Sequence, residues 1–235
     1  MKNILLIFLK FLDDLIQKKN IEIITKYSNK KWDTYIDIGS HDGEMINLLN
    51  KNFKIKKIFG FEPNPESFNN LQKLRIKNLK LYNLALSEKN GFDYLQIGHI
   101  SSMSTINRLN EKSFYTKIKK LIITIFYFKT EVYKKKIKIK KNTLSVILEK
   151  HKIKKIDLLK IDTEGHEFNI LKGIKKYYKK TKIILFEFHY DNSLIKGYDF
   201  NDVDKFLNKK NFILISKNKM IFRKGYELIY KNTRY

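Results

Sequence analysis

The segment TYIDIGSHDGEMINLLNK, residues 34–51, decides the fold class. Its first part, residues 34–39, is a short apolar run that predicts a buried strand. From about Gly43 to Lys51 the apolar residues recur at helical spacing, which predicts a helix. Between the two, Gly39 permits a tight turn with close approach of backbone to a ligand, and Gly43 opens the helix. The segment therefore predicts the first strand–turn–helix unit of an α/β fold.

The same alternation continues through most of the chain. Strands alternating with helices predict a mainly parallel twisted sheet with helices on both faces. Two last apolar runs, FILISKN and GYELIYKN, predict strands that pair antiparallel, so the fold includes an antiparallel C-terminal strand. Asn201 is the predicted cap of the last helix. The further predicted strands are 56–63, 79–87, 156–162 and 182–190, and the predicted helices are 65–76, 142–151, 164–178 and 200–210.

The sequence predicts a single domain over residues 34–235, preceded by a helical extension, residues 1–33, that packs on it. A turn and an added strand are expected in 89–100, and 134–141 alternates like an edge strand with solvated lysines. Residues 101–135 show no clear period and are interpreted as an insertion over one face of the domain. No internal repeat and no linker-like composition divides the chain.

Composition restricts the function classes. The chain has no cysteine, which excludes disulfides and thiolate metal sites. Its net charge of +25 raises nucleic acid or an anionic membrane as a partner, but only four of its 49 basic residues are arginine, the residue typical of specific base readout. The apolar runs within residues 1–20 and 121–128 are too short to span a bilayer. We expect a cytoplasmic protein, with peripheral membrane contact as an alternative; the oligomeric state stays open.

An acidic residue accompanies the glycine turn. Glu62 ends the second strand about twenty residues beyond it, where a carboxylate can accept hydrogen bonds from both ribose hydroxyls of a nucleoside cofactor. Asp37, Gly39 and Gly43 alone are a weak pattern, since they lack the glycine spacing of dinucleotide sites and of P-loops. These residues predict a nucleoside cofactor and leave NAD and S-adenosylmethionine both open.

Four motifs in order sharpen this interpretation: YIDIGSHDG, GFEPNPESFNNL, LYNLALSEKNG and TLSVILEKHKIKKIDLLKIDTEGHEFNILKG. Over residues 34–190 they resemble the FkbM family of S-adenosylmethionine-dependent methyltransferases. The resemblance implies a Rossmann-like class I methyltransferase fold and methyl transfer to an oxygen of a sugar, glycan or other small molecule. Two residues depart from the family pattern: His41 stands where Asn is usual, and His166 where a small residue is common.

The resemblance also implies which residues bind the cofactor. Asp37, Gly39 and Gly43 would meet its methionine part, with His41 in the same turn. Glu62 would bind the ribose. The remaining implied contacts are Asn83 and Ala85 near the adenine, and the serine-rich segment Ser101, Ser102 and Ser104 closing the pocket.

Side chains for proton transfer follow two later strands. Lys160 and Asp162 share one face of the strand 156–162, and a buried ammonium requires a carboxylate partner, with Asp162 and Glu187 as candidates. Asp162 ends its strand on the ligand side, so it is the first candidate to contact the acceptor hydroxyl. Glu187 and His189 share a face of the strand 182–190, and His189 is a candidate general base or else a structural histidine.

The helix after Asp162 begins with three further polar residues. Glu164 is interpreted either as a cap or as a substrate contact, Glu167 as a structural acceptor for the loop, and His166 as solvent-facing. Histidine spacing signals no dedicated metal site. A magnesium ion on Asp162 and Glu187 is nevertheless an alternative way to acidify a hydroxyl.

The main hypothesis is thus an S-adenosylmethionine-dependent O-methyltransferase acting on a sugar, glycan or small-molecule hydroxyl. An RNA methyltransferase on the same fold is an alternative motivated by the charge. A non-catalytic module that docks on membranes or glycan machinery through residues 1–20 and 101–141 is a second alternative.

Overall fold

The computed structural model describes the backbone of residues 2–220 and 224–235, and the side chains of these ranges from residue 15 onward. Its first elements are α1 (Lys2–Tyr27), β1 (Lys31–Ile38), α2 (Glu44–Asn52), β2 (Lys54–Phe61), α3 (Pro65–Leu71), β3 (Leu79–Tyr82), β4 (Ala85–Leu86) and β5 (Gly91–Gly98). There follow a 3-10 turn (Ser101–Met103), β6 (Arg108–Leu109), α4 (Phe114–Tyr127), β7 (Tyr133–Asn142) and α5 (Leu144–Lys150). The last elements are β8 (Ile156–Ile161), α6 (Glu167–Lys172), a 3-10 segment (Lys175–Lys180), β9 (Thr181–His189), β10 (Leu194–Ile195), α7 (Phe200–Asn208), β11 (Phe212–Lys219) and β12 (Gly225–Asn232).

A seven-stranded sheet forms the centre, in the order β11-β12-β9-β8-β1-β2-β3. β1 pairs parallel with β2 and β8, β8 pairs parallel with β9, and β2 with β3. β12 enters antiparallel between β9 and β11. The predicted mainly parallel sheet with an antiparallel C-terminal strand is confirmed.

Both faces of this sheet are covered by helices. Side chains alternate along β1, so Ile36 and Ile38 pack into one core with α5, α6 and α7, while Tyr35 packs into the other with α1, α2 and α3. A strand that is buried on both faces has a continuous run of apolar residues, and for this reason these strands could be predicted from the sequence. The prediction of helices on both faces is confirmed.

The N-terminal helix α1 packs beside the two last strands. Gln17 Nε2 donates to Glu227 Oε1 at 3.0 Å, and Asn218 Nδ2 donates to Asn20 Oδ1 at 2.8 Å. Ile24 is fully buried in the second core. Within the parts of the chain that the structure describes, no helix is both long enough and apolar enough to cross a membrane. The division of the chain into residues 1–33 and 34–235 stays a prediction.

Two predicted strands are placed differently. The predicted strand 79–87 is divided, because the chain leaves the central sheet after Tyr82 and β4 instead pairs with β7. β7, predicted as an edge strand, is the middle strand of a separate sheet of order β4-β7-β5. Its lysines are exposed as predicted, but most of them lie on one face of a central strand and not along a free edge.

Two predicted helices also differ. The helix predicted over 164–178 begins only at Glu167, because Glu164 and Gly165 have positive φ angles of 51° and 94°. Asn201 is not the cap of α7, since Asp199 accepts from the backbone N–H of Asp202 at 2.9 Å and completes a capping box.

The insertion has regular structure that the sequence did not reveal. It contains the fourteen-residue helix α4, whose N-terminus is capped by Ser113 through the backbone N–H of Tyr115. The two-stranded sheet of β6 and β10 ties the insertion to the segment after β9. The segment interpreted as lacking a period therefore folds over the carboxyl ends of the central strands.

Candidate active site

The turn after β1 is shaped by close packing of two strand ends. Gly39 has a φ of +75°, and a Cβ built on it would lie 1.8 Å from the backbone oxygen of Asp162. The backbone N–H of Asp162 donates to Ile38 O at 2.9 Å, which fixes the neighbouring ends of β1 and β8. Gly39 is thus required by both conformation and space.

Glu62, at the end of β2, ties this turn in place. Its Oε2 accepts the backbone N–H of His41 at 2.9 Å, and its Oε1 accepts that of Asn64 at 2.8 Å. Burial raises the pKa of Glu62, and the two backbone donors offset part of the rise. His41 has a φ of 48°, a left-handed conformation in which Asn and His are enriched among non-glycine residues. The histidine that departs from the family pattern therefore suits its backbone.

The serine-rich segment lies directly over this turn. His41 Nε2 and Ser101 Oγ are 2.8 Å apart, and Ser104 Oγ donates to Ser101 O at 2.8 Å. Ser101, Ser102 and Ser104 all line the cavity described below. The predicted closing position of the segment agrees with this placement, while its contact with a cofactor stays a prediction.

Of four other residues predicted to contact the cofactor, three lie behind the cavity wall and one lines the cavity. Asp37 is fully buried under the turn, where its Oδ1 lies 3.4 Å from Lys160 Nζ. Gly43 is the N-cap of α2, with a φ of 86°. Asn83 is exposed and donates to Glu62 O at 2.8 Å, whereas Ala85 is buried and lines the cavity. Asp37, Gly43 and Asn83 do not themselves line the cavity.

A cavity of about 860 Å³ opens at the carboxyl ends of the central strands. Gly39 and Glu62 line the part of it that we call the cofactor end, and Asp162 and Glu187 line the part that we call the reacting end. The two parts meet where Gly39 lies against Asp162. The insertion closes it: residues 100–106 and α4 contribute mostly apolar walls. Ligand sites in such sheets lie beyond the carboxyl ends of the strands, and a volume within the roughly 300–1,000 Å³ of small-molecule pockets suits a nucleoside together with a small acceptor.

Lys160 is the central cation of the reacting end. Its Nζ lies 3.2 Å from Asp162 Oδ2 and 3.4 Å from Asp37 Oδ1. Burial alone would lower the pKa of Lys160, but the two carboxylates outweigh it and raise the pKa above its ordinary value. The predicted pairing with Asp162 is confirmed, the alternative partner Glu187 is not used, and Asp37 is a partner that the sequence did not suggest.

Glu187 and His189 form a second buried pair on β9. Glu187 Oε1 and His189 Nε2 are 2.8 Å apart, and Glu164 Oε2 lies 3.5 Å from the same nitrogen. Burial would lower the pKa of His189, but the carboxylates of Glu187 and Glu164 raise it to about 10. The two carboxylates thus favour the protonated form of His189, and its role as a general base stays a prediction.

Glu227 is a cavity residue that sequence reasoning missed. It lies on β12 directly opposite Glu187, is buried, and receives a hydrogen bond from Gln17 of α1. Burial, together with the charges of Glu187 and Asp162, raises its pKa to about 8. A single acid between apolar residues in GYELIY was the available signal, but its meaning depended on the antiparallel pairing with β9.

The start of α6 shows one correct prediction and one error. Glu167 accepts from the backbone N–H of Thr163 at 3.1 Å and of Gly165 at 2.9 Å, which confirms its structural role. His166, predicted to face solvent, is buried and lies 3.0 Å from Ser87 Oγ. Burial lowers the pKa of His166 to about 4. The helix begins only at Glu167, so His166 is its N-cap and does not follow the helical wheel assumed from the sequence.

A divalent metal has no clear ligand set at the reacting end. Among the residues that the structure describes, one group of three candidate ligand side chains lies within 4.8 Å, and it is His41, Asp42 and Glu44 at the start of α2. Asp162 and Glu187 belong to no such group there. Magnesium on these two residues stays a prediction without geometric support.

The sequence pattern of the Methyltransferase FkbM domain matches residues 37–214. The chain belongs to the FkbM methyltransferase family. The matched region contains the end of β1 and the strands β2, β8 and β9, which border the cavity. The mainly parallel α/β fold of this FkbM-family member agrees with that assignment.

A solved structure of an FkbM methyltransferase supports this fold. Methyltransferase FkbM from Methylobacillus flagellatus KT is similar with a TM-score of 0.54 at 12% identity, over 85% of this chain and 43% of that chain. Magnesium protoporphyrin IX methyltransferase from Synechocystis PCC 6803 with bound SAM gives 0.49 at 9% identity, over 95% and 77% of the two chains. The chain spans less than half the length of the first of these structures. No curated protein matches this FkbM-family sequence.

Proposed function

We propose that this FkbM-family protein transfers the methyl group of S-adenosylmethionine to a hydroxyl oxygen of a sugar, glycan or other small molecule. The observation that carries the proposal is the carboxylate of Asp162, which opens into the same cavity as Glu62 and is paired with Lys160 at 3.2 Å. Methylating a hydroxyl requires removal of its proton, and a positioned carboxylate performs that step.

The residues of the cofactor end fit S-adenosylmethionine. Glu62 retains lone pairs beyond those that bind two backbone N–H groups, so it can still accept from ribose hydroxyls. Phe61, Leu84 and Ala85 supply an apolar wall for the adenine. When bound, the cofactor supplies a methyl group activated by a positively charged sulfur. The acidic reacting end attracts that charge.

The residues of the reacting end have different roles in the transfer of the methyl group. Asp162 accepts the proton of the acceptor hydroxyl, and Lys160 fixes its carboxylate in position. The His189 imidazolium orients Glu187 and Glu164 along the cavity wall, where they bind further hydroxyls of the acceptor. The apolar side chains of the insertion exclude water, so that these charges act in a low-dielectric site.

A labelling assay tests this proposal. The full chain is incubated with methyl-labelled S-adenosylmethionine and, separately, hydroxyl-rich glycans, small hydroxylated molecules and total RNA, with Asp162→Asn as the control for background. We expect label in an alkali-stable ether on a glycan or small molecule and none with the variant. Label in an alkali-labile ester, or equal labelling by the variant, would refute the proposal.

An RNA acceptor is the second candidate, favoured by one surface. On the outer face of β5 and β7, Phe92 and Tyr94 are exposed and lie 4.8 and 4.7 Å from the ammonium groups of Lys138 and Lys136. Exposed aromatics among lysines are typical of single-strand binding. This candidate predicts RNA affinity that falls steeply with salt, and salt-independent binding would count against it.

A further inference from the structure

Helix α4 carries an apolar stripe that faces solvent. Phe114, Ile118, Leu121 and Ile125 recur at steps of four, three and four residues, which places them on one line along the helix. Their exposed fractions are 68, 36, 58 and 50%. Phe128, at the end of the helix, extends the line and is 87% exposed. We call these five residues the α4 stripe.

The stripe is separate from the face by which α4 packs on the protein. Thr116 and Ile123 are buried on that face. Tyr115, Lys119 and Ile122 line the cavity. Because Ile118 both lines the cavity and belongs to the stripe, the stripe runs along the rim of the cavity. An apolar line of large side chains exposed at a cavity rim marks an interaction surface.

The charges around the stripe indicate what covers it. Residues 111–141 contain eleven lysines and two glutamates. Lys112, Lys117 and Lys129 are exposed beside the helix or within it. Glu111 is already paired with Lys120 at 2.8 Å. The surroundings of the stripe are therefore strongly positive.

We propose that the α4 stripe docks on the surface of an anionic lipid bilayer, with its apolar side chains in the interface and the flanking lysines on the headgroups. Large apolar side chains along one helix face with lysines beside them are typical of interfacial helices. A second copy of the chain is a poorer occupant, because each copy has a net charge of +25 and would repel the other. The proposal concerns binding and stands apart from the identity of the methyl acceptor.

The experiment is flotation of the full chain with phosphatidylcholine vesicles, with and without phosphatidylserine. The test variant is Leu121→Glu/Ile125→Glu. The matched control is Val146→Glu/Ile213→Glu, which makes the same change of charge at residues 43 and 47% exposed on α5 and β11. All four positions are exposed, so the variants should fold, and thermal unfolding checks that they do.

We expect the wild type to float with the anionic vesicles and to remain unbound with the neutral ones. The stripe variant should lose affinity by about tenfold or more, and the control should stay within about twofold. The proposal is overturned if the wild type fails to float, if both double variants lose affinity equally, or if the stripe variant floats like the wild type. It is also overturned if the stripe variant changes only self-association or RNA binding.

Discussion

The cofactor end and the reacting end of the cavity are built by different kinds of contact. At the cofactor end, a backbone turn at Gly39 and His41 is fixed by one carboxylate, Glu62, about twenty residues away. At the reacting end, side chains from β1, β8, β9 and β12 meet far from one another in sequence. Local geometry can be read from a strand–turn–helix pattern, whereas a buried charge cluster depends on strand order and register.

Asp162→Asn should give the largest effect of these variants, and it should change the reacting end without changing the cofactor end. The variant keeps the shape of the side chain and removes its ability to accept a proton, so we expect kcat to fall about 10³-fold. The affinity for S-adenosylmethionine should stay within a few-fold, as measured by calorimetry. A comparable loss of affinity would instead assign Asp162 to the cofactor end.

Gly39→Ala should destabilise the close contact between the ends of β1 and β8, where the cofactor end meets the reacting end. Its Cβ would meet the backbone oxygen of Asp162 at 1.8 Å, so the free energy of unfolding should fall by about 3 kcal/mol in urea denaturation. Gly197→Ala is the matched control, because Gly197 has a similar φ of +72° with nothing within 4 Å of a Cβ. We expect about 1 kcal/mol there. Equal losses would mean that backbone conformation alone matters at Gly39.

Glu62→Gln should affect the cofactor end alone. Loss of the charged acceptor should weaken S-adenosylmethionine binding by about 10- to 100-fold, since hydrogen bonds to a charged group contribute about 1.5–3 kcal/mol. At saturating cofactor, kcat should change by less than about threefold. A fall in kcat with unchanged affinity would show that the carboxylate acts in the chemical step.

The pKa values of the two buried histidines should be shifted in opposite directions. His189 has a pKa raised to about 10 and His166 a pKa lowered to about 4, so NMR at pH 8 should show the first protonated and the second neutral. Because the folded-state pKa of His189 lies above its unfolded value of about 6.5, its stabilising contribution is complete below pH 6.5 and is lost as pH rises towards 10. His189→Gln should therefore lose less stability than the wild type between these two pH values, as measured by urea denaturation at each pH. A neutral His189 at pH 8 would contradict the ion pair with Glu187.

The fold was predictable because its strands are apolar runs and its turns contain glycine. The same reasoning placed Glu62 at a strand end and paired Lys160 with Asp162, since an unpaired ammonium inside a sheet is too costly. Glu227 and the Asp37 partner of Lys160 could not be predicted, because each depends on which strands become neighbours.

Local conformation explains the remaining differences. The positive φ angles of Glu164 and Gly165 delay the start of α6 and bury His166. α4 was not recognised because its sequence, FYTKIKKLIITIFY, is rich in β-branched and aromatic residues, which are more typical of strands than of helices.

The most direct test of the central claim is a crystal structure of the full chain with S-adenosylhomocysteine. The two-ended cavity predicts the ribose hydroxyls on the carboxylate of Glu62 and the sulfur directed towards Asp162 across the same cavity. A ribose bound by Glu187 or Glu227, or a ligand outside this cavity, would contradict the assignment of its two ends.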